Sequence, residues 1–120
     1  MPAQPADPSC CQVVTTTATA DDAAVLSQAL LERRLAACVQ VVGPITSRYW
    51  WQGTIETATE WLCVAKTTAA QVDGAVTLIG EGHSYDVPEI TVVPITGGSA
   101  AYLSWVAAEA SATGGPTGAT

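Results

Sequence analysis

The residues of this chain best equipped for chemistry are one histidine, His83, one lysine, Lys66, and the glutamates Glu60 and Glu89. A single imidazole cannot build a multi-histidine metal site within one chain. Copies meeting on a symmetry axis, or a mixed site with Glu89 or Glu60 of another copy, are the remaining routes to a metal. The plainer alternative is that His83 orders its own loop through its two ring nitrogens. Lys66 sits at the end of a long apolar run and would be costly to bury unpaired. It is expected to meet Glu89 or an anionic ligand, or else to stay in solvent. A histidine, a lysine, Tyr85 and glutamates in one cleft could also do general acid–base work. No nucleophile is spaced for a base, however, and no GxSxG, P-loop or dinucleotide fingerprint occurs. An acid–base enzyme built around His83 and Lys66 and a scaffold with no small ligand stand as rival readings to a binding protein.

The elements that must position these groups are organised around residues 38–66. That stretch reads as two strands turning at Gln52-Gly53, where glycine accepts positive φ. Each arm runs about 13 residues, or roughly 40 Å, against a body about 30 Å across for a chain of this length. The outer half therefore projects beyond its own core. It carries Tyr49, Trp50 and Trp51 in succession, so aromatic surface falls on both faces. Gly43-Pro44 interrupts the first arm and predicts a bulge, since proline cannot donate to a ladder. On the return arm Glu56, Glu60 and Lys66 share a parity and project from one face.

Around the hairpin the pattern is β-α-β, β-α-β. A first strand covers Cys10–Thr17, and a helix capped by Thr19 follows, with Asp21 and Asp22 in its first turn and Arg33 and Arg34 closing it. A second helix starts from a Thr68/Gln71 capping box, carries Val72, Ala75, Val76 and Ile79 on one face, and stops at Gly80 or Gly82. A polar connection through His83–Glu89 leads into a strand over 89–95. Ser99 caps a last helix reaching Glu109. This order predicts an α+β, ferredoxin-like βαββαβ sandwich with both crossover helices on one face of an antiparallel sheet. The domain is expected over residues 10–110, with disordered tails at 1–9 and 111–120. The strands are apolar on both parities, so the second face should be covered by further copies of the chain. Tyr49, Trp50 and Trp51 are assigned to that interface.

A net charge of −7, with four basic residues against eleven acidic ones, argues against nucleic acid as a partner. No stretch approaches the roughly 20 apolar residues of a membrane helix, and the start of the chain lacks a basic, apolar leader pattern. Three of the four cysteines fall in strand-like apolar runs, with no CxxC spacing. Reduced thiols and a cytoplasmic setting are therefore expected.

Four stretches resemble one family in order and spacing: Leu35-Ala36-Ala37-Cys38-Val39, then Ile45-Thr46-Ser47-Arg48-Tyr49-Trp50-Trp51-Gln52-Gly53, then His83-Ser84-Tyr85-Asp86-Val87-Pro88-Glu89-Ile90, and Tyr102-Leu103-Ser104-Trp105. They are similar to the CutA family of divalent-cation tolerance proteins over about residues 12–109. The resemblance implies a ferredoxin-like subunit in a tight homotrimer, with a shape like that of the PII signalling proteins and a link to copper and other divalent ions. It also implies clefts between subunits at the His83, Tyr85 and Lys66 positions; with Trp105 and Glu60 these residues are expected to line a small-ligand cleft there, and His83 and Glu89 are the metal candidates. Two positions depart from the copper-linked members: Thr15 stands where a cysteine is expected and Gly82 where a second histidine is. With a thiolate and an imidazole missing, any copper binding is expected to be weak.

Overall fold

The computed structural model describes residues 9–113. Most of the expected tails, residues 1–8 and 114–120, lies outside the described residues. The elements follow as β1 (Cys10–Thr17), α1 (Ala20–Glu32), β2 (Cys38–Trp51), β3 (Thr54–Thr68), a 3-10 turn (Ala69–Gln71), α2 (Val72–Gly82), β4 (Ile90–Pro94) and α3 (Ala100–Glu109). The four strands form one antiparallel sheet in the order β2-β3-β1-β4. That order, with a helix in each β-α-β crossover, is the expected βαββαβ sandwich.

Alternation in the ladder decides what each face holds. Val13 pairs with Ala65 and Val92, and Ala65 pairs with Val39. Val13 and Ala65 close the core against Leu26 and Leu30 of α1 and Ala75 and Ile79 of α2. The Thr19 side chain accepts from the Asp22 amide, as its place before the helix predicts. The opposite parity presents Val14, Leu62, Val64, Val42 and Val93 on the second face. α3 covers that face at the Cys10–Thr68 end, where Cys10 Sγ donates to the Leu103 carbonyl and Thr68 Oγ1 to the Ala110 carbonyl, and Tyr85 of the loop after α2 meets it at Glu60.

Two local expectations resolve differently. Thr68 makes no capping bond to α2. It belongs to the last rung of β3, opposite Cys10, and its hydroxyl is drawn to the end of α3 instead. Arg33 and Arg34 lie beyond the last turn of α1, with Arg34 at φ +59°. From there the Arg34 guanidinium reaches Glu109 Oε1 at 2.6 Å and ties the end of α1 to α3.

The hairpin is as long as its sequence demands, with arms of 14 and 15 residues. Gln52 and Gly53 both take positive φ in the turn, +50° and +82°. The molecule measures 52 × 31 × 22 Å, and the core cluster takes no residue between Val39 and Ala65. At Gly43-Pro44 the register slips: Val42 faces Leu62, whereas Ile45 faces Glu60. Two residues of β2 thus oppose Trp61 alone, and every outer residue of β2 changes face. The Trp61 indole lies over Gly43 so closely that a Cβ there would stand 2.3 Å from Trp61 Cδ1. Only glycine fits under that ring.

Candidate functional site

The register slip sends Ile45, Ser47, Tyr49 and Trp51 to the same face as Glu60, Ala58, Glu56 and Thr54, their partners on β3. Trp50 goes the other way, beside Ile55, and is 72% exposed. On the Tyr49 side, the loop from Tyr85 to Glu89 folds against the hairpin root and closes a cleft of about 790 Å³. Glu56, Glu60, Asp86 and Glu89 are the acidic residues that line it, and Arg48 is the one basic residue of the lining. Tyr49, Trp51 and Tyr85 supply its aromatic walls.

Glu60 stands at the floor and is only 7% exposed. Its Oε2 accepts the Tyr85 hydroxyl at 2.9 Å. Burial first, and then this bond and the charge of Glu60, push the Tyr85 phenol up to about 12. Tyr85 is held in place by His83. The imidazole Nδ1 accepts the Tyr85 amide at 3.0 Å, and Nε2 lies 2.7 Å from the Thr16 carbonyl oxygen. A carbonyl only accepts and an amide N–H only donates, so the ring is the neutral Nε2–H tautomer. The two rings also meet, with centroids 4.9 Å apart.

His83 thus spends one nitrogen on its own loop and the other on the end of β1, and it lines a separate, smaller hollow of about 340 Å³ between α1 and α2. Glu89 opens into the large cleft instead. The two metal candidates do not share a hollow, and no group of three or more potential ligands gathers among the described residues. Thr15, in the place of the expected cysteine, is buried on the helix face, opposite Cys63 and Ile90.

Lys66 lies six residues along β3 from Glu60, roughly 20 Å. It flanks Cys38 and Gln12 in the sheet and donates to the side-chain oxygen of Gln40. Trp105 is on α3, exposed, stacked at 5.7 Å from Tyr102. Within one chain, then, Glu60, Tyr85, Glu89, Tyr49 and Trp51 come together, and Lys66 and Trp105 stand at the other end of the sheet. Arg48, Asp86 and Glu56 complete the cleft. Glu56 was visible through its parity with Glu60; Arg48 and Asp86 left no such mark. No described helix is long and apolar enough to cross a membrane.

The family model of the CutA1 divalent ion tolerance protein matches residues 11–109. The chloroplastic protein CutA 1 of rice is 40% identical over 81 residues, which cover 68% of this chain and 46% of the rice protein. With the Arabidopsis and zebrafish relatives covered to 44% and 55%, the chain spans about half the length of these plant and animal proteins. The divalent-cation tolerance protein CutA of Pectobacterium atrosepticum is 37% identical over 101 residues, 82% of this chain and 92% of that protein. The structure described as the periplasmic divalent cation tolerance protein CutA of Archaeoglobus fulgidus superposes with a TM-score of 0.78 at 34% identity, covering 81% of this chain and 94% of the other.

The expected cytoplasmic setting is overturned by these relatives, one named chloroplastic and another periplasmic. The expectation leaned on reduced thiols. Cys11 and Cys63 are buried, which raises both thiols and keeps them from partners; that follows from the sheet, in any compartment.

Proposed function

The chain belongs to the CutA1 divalent ion tolerance family, and from that premise we propose that it serves divalent-cation tolerance as a homotrimer with a PII-like outline, holding a cation or small ligand weakly. The observation that carries this is the uncovered hairpin: Trp50, Trp51, Ile55 and Tyr49 are 72%, 48%, 51% and 43% exposed. Val42 and Val93 extend the apolar surface over the open sheet. Contiguous apolar surface of this kind favours covering by another copy, and a closed ring covers every hairpin equally.

The split of the candidate set supports the same reading. A cleft that uses Lys66 and Trp105 together with Tyr85 must take them from different chains. His83 adds little to metal affinity while both its nitrogens are engaged, and Thr15 brings no thiolate. Copper, if it is the ion, meets carboxylates here with neither a thiolate nor a free imidazole beside them, and is held weakly. Sedimentation equilibrium at micromolar concentration, followed by thermal melts with Cu²⁺, Zn²⁺ or Mg²⁺ added, tests the reading. Three protomers per particle and a melting temperature raised by one of the ions are expected. A folded monomer, or a trimer indifferent to every ion, refutes it in the corresponding part.

A further inference from the structure

His83 is the single histidine of the chain, half-buried where the end of α2 meets β1. Its two ring nitrogens have opposite roles. Nε2–H donates to the Thr16 carbonyl oxygen at 2.7 Å, and the bare Nδ1 accepts the Tyr85 amide at 3.0 Å. That pairing exists only in the neutral ring, because an imidazolium carries a proton on both nitrogens and accepts nothing. Among the described residues the Tyr85 amide has no second acceptor. The Tyr85 ring, 4.9 Å from the imidazole, attracts a cation but offers the amide nothing to donate to. Both nitrogens are spent on backbone groups, so the imidazole is a fastener here and not a ligand.

We propose that this arrangement is a pH-sensitive latch: a proton taken from solvent at Nδ1 ejects the Tyr85 amide and lets the loop from Tyr85 to Glu89 leave the hairpin root. With Nδ1 protonated, two N–H donors face each other 3.0 Å apart, so one must turn away. The bond from Nε2–H to Thr16 is made in both charge states, and the Tyr85 side therefore yields. Tyr85 then loses its seat over Glu60, to which its hydroxyl donates at 2.9 Å, and one wall of the large cleft is released. Charged neighbours come from each element around the ring. Asp22 and Arg33 of α1 and Glu81 of α2 line the same hollow, the Tyr85 phenol is in ring contact, and Glu60 of β3 stands beyond it. β1 brings only Thr16 and Thr17, which do not titrate. The carboxylates outnumber the guanidinium, so an imidazolium has counter-charges at hand while the amide still has no acceptor. The latch goes beyond the cation reading and holds whichever ion that reading concerns.

Nuclear magnetic resonance of the uniformly ¹⁵N-labelled full chain, with no ion added, reads both ends of the latch. The imidazole signals need no assignment, because the chain has one histidine. Histidine ordinarily changes charge between pH 5 and 8, which sets the range to scan. At the upper end the ring should show the Nε2–H tautomer and the Tyr85 amide should resist hydrogen exchange. As the ring takes its second proton, protection of that amide, corrected for its intrinsic rate, should fall about tenfold or more. The Val13 amide, in the core strand, should keep its protection throughout. His83→Asn retains an acceptor for the amide two residues on and does not titrate, so its Tyr85 protection should not vary with pH. An imidazolium beside a still-protected Tyr85 amide overturns the proposal, as does a ring that stays neutral over the whole range. A fall in protection shared by His83→Asn, or by Val13 in the parent, overturns it equally. If His83→Asn fails to fold, the parent titration decides alone.

Discussion

The Nε2–H of His83 donates to the Thr16 carbonyl oxygen at 2.7 Å, and this bond fastens the loop after α2 to the end of β1. Through it the loop holds Tyr85 above Glu60. A residue that reads as a metal ligand by type is, by geometry, the clamp that builds one wall of the cleft.

Removing the clamp tests that role. His83→Ala loses both ring hydrogen bonds and should destabilise the fold by about 1–3 kcal/mol in urea denaturation. A variant as stable as the parent that has lost all metal binding would return His83 to the list of ligands.

The Tyr85 phenol keeps its proton up to about 12 in the folded chain, against 10 for an ordinary tyrosine. The folded state therefore holds this proton where the unfolded chain has released it. Its contribution to stability is complete below pH 10 and is lost as the pH rises through 12. Thermal melts between pH 9 and 12 should fall more steeply for the parent than for Tyr85→Phe. Parallel slopes would mean that the phenol is not held as described.

Gly43→Ala places a methyl group 2.3 Å from Trp61 Cδ1, so the indole must move. A loss of about 1–3 kcal/mol is expected, with a shift in tryptophan emission. Most of that loss should vanish when Trp61→Ala is added, because the clash partner is gone. Additive losses would show that the indole does not cover Gly43.

Thr67 Oγ1 is buried without a hydrogen-bond partner among the described residues. Thr67→Val keeps the shape and removes the unsatisfied hydroxyl. It should stabilise by about 1 kcal/mol or more, read from the denaturant midpoint. A loss of stability would reveal a partner for this hydroxyl, such as a buried water.

Trp50 is the most exposed of the hairpin aromatics and faces away from the cleft. Trp50→Glu should shift the sedimentation profile towards monomer. A particle of unchanged mass would remove Trp50 from the interface.

Much of the fold was legible in the chain because the signals were local. Periodic apolar residues placed α1 and α2, Thr19 and Ser99 began helices where their side chains accept the Asp22 and Tyr102 amides, and Gln52-Gly53 turned the hairpin. The Thr68 box failed because a strand rung and the end of α3 competed for the same hydroxyl. The placement of Lys66 and Trp105 beside Tyr85 came from the family likeness alone, and within one chain they stand apart.

By itself the sequence determined a βαββαβ order and a ribbon longer than its own core, since strand length, turn residues and periodicity are written along the chain. Which aromatic enters the cleft was decided only in three dimensions. One residue of slip at Gly43-Pro44, absorbed over Trp61, turns Tyr49 and Trp51 toward Glu60 and Trp50 away. Side chains alternate every residue, so a sequence that announces a bulge without its exact count leaves both faces open. The ladder, by pairing Ile45 with Glu60, chose between them.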